Sequence, residues 1–246
     1  MKKIQKVISL IKKSGHTTVF TGAGISVESG IPAFRGENGL WEKYDPKLLN
    51  LEYFYRHPEK SWKLLKEIYK IIKNSSPNSA HKGLAKMEKQ DYVDQIITQN
   101  IDGLHKKAGS RNVYHFHGAC NKLTCIECGI SIKKNNINLK KLPPTCTDCG
   151  GILKPDVVFF GEDIPQPAGD LSFEEANKAD MFIIIGTSGE VAPANLIPVN
   201  AKKQGAKIVE ITPEATEYTN SIVDIVLFGS AGNILKKISK KLLNKK

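Results

Sequence analysis

Thr17-Thr-Val-Phe-Thr-Gly-Ala-Gly-Ile-Ser26 is an apolar, strand-like run that passes directly into two closely spaced glycines. Shortly afterwards the chain continues with Gly30-Ile-Pro-Ala-Phe-Arg-Gly36, where an aromatic ring and a lone arginine stand between small residues. Glycines placed directly after a strand allow backbone N–H groups to approach a phosphate. The stretch therefore predicts a nucleotide-binding turn at the end of a first strand.

Further apolar runs of strand length alternate with helical patterns along the rest of the chain. The predicted strands are Thr17–Thr21, Val93–Thr98, Asn112–Phe116, Val157–Phe160, Met181–Gly186, Lys207–Ile211 and Ile225–Phe228. Alternation of this kind predicts an α/β fold with a doubly wound, parallel, Rossmann-like sheet. Two segments interrupt it, and we expect a helical module at 37–76 and a zinc-ribbon module at 121–154 to form a smaller domain. The sheet domain then takes residues 1–36, 77–120 and 155–246.

Composition narrows the class of protein and its partners. The chain has 246 residues and a formal net charge of +11. Its apolar runs are far shorter than the roughly 18 residues of a transmembrane helix, so we expect no membrane partner. Residues 1–13 read as an amphipathic helix and not as a secretory signal, which predicts a cytoplasmic location. The lysines are scattered without interleaved aromatics, so nucleic acid is not an expected partner. Oligomeric state is not readable from the sequence.

Four of the five cysteines form two C-x-x-C pairs. The pairs are separated by seventeen residues, which is a zinc-ribbon spacing. Two disulfides are the alternative, but the expected reducing compartment favours zinc. Four thiolates leave no open position for water, so we expect a structural and not a catalytic metal. The predicted ligands are Cys125, Cys128, Cys146 and Cys149.

Polar residues stand where several predicted strands end. Gln99, Asn100 and Asp102 follow the second strand, and His117 follows the third. The carboxyl ends of parallel strands share one edge of a sheet, which is where such folds bind ligands. A histidine among amides and carboxylates at that edge could act as a general base. Each signal alone is weak, because an asparagine after a strand is often only a helix cap.

The first loop is not the usual dinucleotide fingerprint. A third glycine is expected three residues after Gly24, and Val27 stands there. No acidic residue ends a second strand to bind ribose hydroxyls. An ordinary hydride-transfer dehydrogenase is therefore disfavoured.

Taken together, the motifs resemble those of the sirtuins, the NAD-dependent protein deacylases. Within that family they are most similar to the bacterial and archaeal branches. The matching segments run in the family's order over nearly the whole chain. They are residues 22–26, 30–36, 98–105, 117–118, the two C-x-x-C pairs, 155–162 and 186–188.

The resemblance implies a mechanism in which NAD is consumed. The acyl oxygen of a modified lysine would attack the nicotinamide ribose and displace nicotinamide, and the acyl group would end on ADP-ribose. His117 matches the family's general base, and Asn100 is the second implied catalytic residue. Phe34 resembles the ring that shields the reactive carbon.

The resemblance also implies the ligands and the residues that contact them. The implied cofactors are NAD and a structural zinc ion, and the implied partner is an acyl-lysine protein or peptide. The implied cofactor contacts are Gly22, Ala23, Gly24, Ile25, Ser26, Phe34, Arg35, Gln99, Asn100, Ile101, Asp102, His117, Gly186, Thr187, Ser188, Thr212, Pro213, Glu214 and Ala231. The implied substrate contacts are Val158, Phe159, Phe160, Gly161 and Val191, which would clamp the peptide as an added strand.

Departures from the family pattern bear on specificity. Members that remove acidic acyl groups have a tyrosine and an arginine three residues apart, and here those positions are Leu65 and Ile68. Without that arginine a buried succinyl carboxylate would be unpaired, so we expect neutral acyl groups. Two other functions stay open at this point. They are mono-ADP-ribosyl transfer and a zinc-ribbon nucleic-acid-binding module without catalysis.

Overall fold

A computed structural model describes residues 2–36, 38–133 and 139–243. The strands in these ranges are β1 (Thr17–Thr21), β2 (Gln95–Thr98), β3 (Val113–His115), β4 (Gly118–Cys125), β5 (Ser131–Lys133), β6 (Leu153–Val157), β7 (Met181–Ile185), β8 (Lys207–Thr212) and β9 (Ile225–Phe228). The α-helices are α1 (Lys2–Lys13), α2 (Leu40–Lys43), α3 (Leu51–Arg56), α4 (Pro58–Asn74), α5 (Ser79–Glu88), α6 (Leu104–Ala108), α7 (Ala168–Lys178), α8 (Leu196–Lys203) and α9 (Ala231–Leu243).

Six strands form one parallel sheet in the order β3-β2-β1-β7-β8-β9. This is the strand order of a Rossmann fold, in which the order of successive strands reverses between β1 and β7 while all strands stay parallel. Strands β1 and β7 are buried along their whole length, as expected for central strands covered on both faces. The predicted doubly wound parallel sheet is confirmed.

Helices cover both faces of this sheet. On one face, apolar side chains of α1, α5 and α9 pack on Val19, Ile183 and Val209. On the other, α7 and α8 pack on Phe20, Phe182 and other strand residues of opposite orientation. Successive side chains of a strand point to opposite faces, which is why neighbours such as Val19 and Phe20 belong to different cores.

A second, antiparallel sheet has the order β5-β4-β6. It packs against α3 and α4 through Trp62, whose indole N–H donates to the carbonyl of Leu153 at 2.9 Å. Trp62, Leu65, Ile68, Tyr69 and Ile72 stand at helical spacing along α4 and are all buried. The domain boundaries stay a prediction, and β4 and β6 each cross one of them, at 121 and at 155.

One predicted strand is wrong in both its bounds and its sheet. The run Val157–Phe160 was assigned to the parallel sheet, whereas β6 ends at Val157 and lies in the antiparallel sheet. The run is apolar for another reason. Phe159 packs edge-on against Phe54, with ring centroids 5.3 Å apart, and Phe160 forms an isolated bridge with Asn50.

No helix among the described residues is long and apolar enough to cross a membrane.

Candidate active site

The carboxyl edge of the parallel sheet gathers the predicted cofactor segments. Residues 22–26, 99–102 and 186–188 directly follow β1, β2 and β7, and 212–214 begin at the last residue of β8. Ala231 opens α9 at the same edge, because the backbone N–H of Gly229 donates to the carbonyl of Thr212 at 2.9 Å. The topology thus brings together residues that are far apart in the chain.

The loops after β1 and β7 touch backbone to backbone. The N–H of Gly22 donates to Ile185 O at 3.0 Å, and that of Gly24 to Gly186 O at 2.8 Å. A Cβ on Gly24 would lie 2.7 Å from the Cα of Gly186. The glycines are therefore needed because the two backbones lie too close for a side chain. This contact lies at the point of the sheet where Rossmann folds bind dinucleotides.

A buried polar network connects the first two loops. The Asn100 amide donates to Gly22 O at 3.0 Å and to Ser26 Oγ at 3.3 Å. Ser26 Oγ in turn donates to Asp102 Oδ2 at 2.7 Å, and Asp102 Oδ1 accepts the backbone N–H of Leu104 at 2.8 Å. Asn100 and Asp102 are thus fixed in orientation at the carboxyl edge of the sheet. The space bounded by the loops after β1, β2 and β7 is here called the crevice.

Asn78 and His81 belong to this network, and the sequence analysis did not identify them. The Asn78 amide donates to Ile25 O at 2.7 Å, while its Oδ1 caps α5 by accepting from Ala80 N at 2.8 Å. His81 Nε2 lies 3.5 Å from Ser26 Oγ, and burial lowers the pKa of His81 to about 4. Asn78-Ser79 is a typical helix-cap signal, but its bond to Ile25 depends on tertiary structure.

His117 has the geometry of a general base. Its Nδ1 lies 3.2 Å from the carbonyl oxygen of Gln99, which can only accept, so Nδ1 carries the proton and Nε2 is the acceptor. Burial lowers the pKa of His117, while the bond to Gln99 O opposes that shift, so the ring is neutral near pH 7. The Gln99 side chain donates to Thr187 Oγ1 at 3.0 Å, which joins the loops after β2 and β7.

His105 lies below the network. Its Nε2 is 3.0 Å from Thr21 Oγ1, which itself donates to Thr98 Oγ1 at 2.9 Å. Burial lowers the pKa of His105 well below the usual value, so this ring is neutral. The contacts link β1, β2 and α6 beneath the crevice.

The loop after the 3-10 helix Ala23–Ser29 leads from the carboxyl edge of the sheet to the helical module. The Phe34 ring packs on Trp41 with centroids 5.1 Å apart. Arg35, predicted to contact a phosphate, forms an ion pair with Glu190 at 3.0 Å, and both side chains are about half exposed. Since Glu190 adjoins Val191, this pair joins the predicted cofactor loop to a predicted substrate segment.

Thr212 also has an internal partner. Its hydroxyl donates to Glu214 O at 2.7 Å within the turn after β8. Nearby, Glu28 accepts the N–H of Gly232 at 2.6 Å, which caps the first turn of α9 and fixes Ala231 at the edge. The predicted cofactor contacts of Thr212 and Ala231 stay predictions.

The predicted substrate segment 158–161 runs from the base toward the helical module. Val158 N donates to the carbonyl of His117 at 3.0 Å, so the segment begins beside the imidazole. Phe160 N donates to Leu49 O at 2.8 Å, and Phe160 O accepts from Leu51 N at 3.0 Å. The Phe160 side chain is 42% exposed, so an aromatic ring is available at the surface.

The four predicted zinc ligands come together as expected from their spacing. All four Sγ atoms lie within 4.8 Å of one another, with Cys125 and Cys149 at 3.5 Å and Cys128 and Cys146 at 3.8 Å. A tetrahedral zinc site with bonds of 2.3 Å places its sulfurs about 3.8 Å apart. None of these cysteines is in a disulfide. The donor set and its dimensions therefore fit a structural zinc ion.

Comparison with known proteins gives a consistent set of matches. The model of the Sir2 family matches residues 22–193. An NAD-dependent protein deacylase of Pyrobaculum aerophilum is 43% identical, covering 96% of this chain and 94% of its own length. One of Aquifex aeolicus is also 43% identical, with 94% and 96% covered.

Solved structures agree with the sequence matches. A Sir2 homologue in complex with ADP-ribose superposes with a TM-score of 0.93 at 38% identity, covering 97% of this chain and 96% of the other. A Sir2 complex with a p53 peptide and NAD superposes with a TM-score of 0.90 at 32% identity, with 97% and 98% covered.

Proposed function

Because the chain belongs to the Sir2 family, we propose that it is an NAD-dependent protein-lysine deacetylase. The enzyme would move the acyl group of a modified lysine to ADP-ribose and release nicotinamide. The observation that carries this proposal is His117, a partly buried, neutral imidazole whose Nε2 is the acceptor at the carboxyl edge of the sheet. The matched relatives named as deacylases support the reaction class.

The crevice fits NAD in its chemistry. The loops after β1 and β7 are small residues whose backbones meet at the switch point of the sheet. Gln99, Asn100 and Asp102 supply amide and carboxylate groups suited to ribose and nicotinamide. When bound, NAD supplies a ribose carbon from which nicotinamide can depart.

The chain's own residues then have separate tasks. His117 takes a proton from a ligand hydroxyl at Nε2, because Nδ1 is committed to Gln99 O. Asn100 and Asp102 hold the ligand in position, since their network with Ser26 fixes both side chains. Phe34 and Trp41 exclude water from the crevice on the side of the helical module.

The peptide substrate would lie between the segments 158–161 and 189–191. Val158 is hydrogen-bonded to His117, so a lysine entering beside this segment reaches the base directly. Sir2 structures that contain a p53 peptide support a peptide as the substrate. Pairing of a peptide backbone with an extended segment, as an added strand, is a common mode of peptide binding.

The acyl group would be neutral. Leu65 and Ile68 are 2% and 6% exposed and belong to apolar clusters that also contain Phe159 and, near Ile68, the Phe34 ring. A succinyl carboxylate in such surroundings would be desolvated without an arginine partner. We expect a higher kcat/KM for acetyl-lysine than for succinyl-lysine peptides of the same sequence. The opposite preference would contradict this assignment.

The zinc site would hold the antiparallel sheet together and take no part in the reaction. Four thiolates complete its coordination. Gly129 and Gly150 follow the second cysteine of each pair with φ near +74° and +78°, a conformation that allows the two turns to close around the metal. Reduced cysteines as ligands support a cytoplasmic location.

The direct test combines NAD with an acetyl-lysine peptide and measures nicotinamide release and deacetylated peptide together. His117→Ala should abolish both. His16→Ala is the matched control, since His16 pairs with Glu175 at 2.8 Å at the opposite end of β1 and should leave turnover unchanged. Full turnover by His117→Ala would refute the role of the base. Labelled ADP-ribose retained on protein would instead indicate mono-ADP-ribosyl transfer.

A further inference from the structure

The helices on one face of the parallel sheet carry a dense set of lysines. Helices α1, α5 and α9 share one apolar core beneath them, so their outer surfaces form a continuous face, here called the basic face. Five of its lysines lie on α1, two on α5 and four on α9, and all are exposed. They are Lys2, Lys3, Lys6, Lys12, Lys13, Lys82, Lys86, Lys236, Lys237, Lys240 and Lys241.

The opposite face of the same sheet is electrically balanced. Helices α7 and α8 carry three carboxylates and three lysines. A lysine-rich composition alone would load both faces alike, since both consist of amphipathic helices on the same sheet. The difference therefore belongs to the arrangement of the chain and not only to its composition.

The lysines of the basic face are not neutralised within the protein. The one carboxylate on α1, α5 and α9 is Glu88, which is buried and accepts the backbone N–H groups of Arg111 and Asn112. Glu28, near the start of α9, is held by Ser230 and Gly232. None of the eleven lysines forms a salt bridge within the described ranges, and Lys3 donates only to a carbonyl, Val226 O.

We propose that the basic face binds the phosphate backbone of double-stranded DNA without reading its sequence. Uncompensated exposed lysines on one face are the charge complement of a polyanion. Lysine is a point charge that contacts phosphates without fixed geometry, whereas sequence readout in the major groove relies mostly on forked arginines. None of the three arginines of the chain lies on α1, α5 or α9.

Two further observations favour duplex DNA over other polyanions. The exposed large apolar side chains of the described residues all lie outside α1, α5 and α9, so the face offers nothing to insert into a lipid bilayer. It likewise offers no exposed aromatic ring on which single-stranded bases could stack. The lysines are scattered in the sequence, which is why nucleic acid was not an expected partner. The fold brings them together on one surface, so that argument no longer applies.

The size of the face sets the expected strength. Helix α9 has 13 residues. It is therefore about 20 Å long. Duplex DNA carries one phosphate charge per roughly 1.7 Å of axis, so about twelve phosphates lie along that length, and about half of them, roughly six, would face the protein. Six contacts predict a slope near −5 in the plot of log affinity against log salt. Affinity should then fall about 10³-fold between roughly 50 and 200 mM salt.

The test is fluorescence anisotropy with a labelled DNA duplex of arbitrary sequence, titrated at several salt concentrations without NAD or peptide. The test variant replaces Lys236, Lys237, Lys240 and Lys241 by glutamine. The matched control replaces Lys60, Lys63, Lys66 and Lys70, four exposed lysines of α4, in the same way. The α9 variant should lose at least tenfold in affinity and should flatten the salt slope by about two to three. The α4 variant should change neither.

Further arms keep the proposal open to refutation. Should the α9 variant fail to fold, Lys2, Lys3 and Lys6 of α1 replaced by glutamine serve instead. Equal losses in the α4 and α9 variants would overturn the proposal, as would wild-type protein that does not bind DNA. Binding to phosphatidylserine-containing vesicles in preference to DNA would overturn it in favour of a membrane surface. Deacetylation of a free peptide by the α9 variant should equal that of wild type, so failure of the proposed function is measured separately.

Discussion

Replacing Ser26 by alanine removes the centre of the polar network beneath the crevice. Ser26 Oγ donates to Asp102 at 2.7 Å and accepts from the Asn100 amide at 3.3 Å. All three side chains are at least nine-tenths buried. In the variant, the Asp102 carboxylate loses its side-chain donor and keeps only the backbone N–H of Leu104.

The cost follows from what is left unpaired. A hydrogen bond to a charged, buried acceptor contributes about 1.5 to 3 kcal/mol, and the weaker bond to Asn100 adds a smaller amount. We expect the free energy of unfolding to fall by roughly 2 to 3 kcal/mol. For a chain of this size each kcal/mol lowers Tm by about 2 to 4 °C, so Tm should fall by roughly 4 to 12 °C.

The chain supplies its own control for this measurement. Ser29 lies in the same 3-10 helix, and its Oγ is buried with no hydrogen-bond partner among the described residues. Ser29→Ala should therefore change the free energy of unfolding by less than about 0.5 kcal/mol. Thermal and urea unfolding of both variants at pH 7 decide the matter. Equal Tm values for Ser26→Ala and Ser29→Ala would show that the network does not stabilise the fold as argued.

Three other predictions concern the base, the metal and the close approach of two loops. His117 is active as a base only when neutral, and burial holds its pKa below the usual 6.5, so the acid-side midpoint of the kcat/KM profile should lie below pH 6.5. A midpoint above pH 6.5 would contradict that. Zinc removal by chelation, or Cys125→Ser, should unfold the antiparallel sheet, because binding of a structural metal is coupled to folding. Trp62, which is hydrogen-bonded to Leu153 of that sheet, would then become exposed and its fluorescence emission should shift to longer wavelength. Unchanged emission in protein shown to be zinc-free would count against a structural metal. Gly24→Ala should lower the free energy of unfolding by about 1 to 3 kcal/mol and raise KM for NAD. The new Cβ would lie 2.7 Å from Gly186 Cα, and its nearest neighbours are backbone atoms, which cannot move aside as a flexible side chain could. Wild-type values of both quantities in this variant would mean that the two loops can separate freely.

Local patterns were enough to predict much of the fold. The bounds of β1 agree with prediction because it has an uninterrupted apolar pattern and a clear end. The zinc ligands were predictable because chelation requires a short, regular spacing. The buried spacing on α4 was visible for the same reason, since one face of a helix repeats every three to four residues.

Interactions between distant segments were not predictable in this way. The run Val157–Phe160 has the apolar character of a sheet strand, but its phenylalanines pack on the helical module. The bond of Asn78 to Ile25 joins residues 53 apart, and nothing local distinguishes it from a simple helix cap. The pairing of Arg35 with Glu190 depends on two loops that only the sheet topology brings together.

That pairing has a thermodynamic consequence for the order of ligand binding. In the proposed function, a cofactor phosphate that attracts Arg35 would release Glu190, and a basic peptide that attracts Glu190 would release Arg35. Whichever ligand arrives first would therefore break the contact, and the second would no longer meet that cost, so we expect the two to bind cooperatively. Exposed ion pairs contribute at most about 1 kcal/mol, which limits the mutual increase in affinity to roughly fivefold. Raising the ionic strength should weaken the pair and reduce this coupling toward zero.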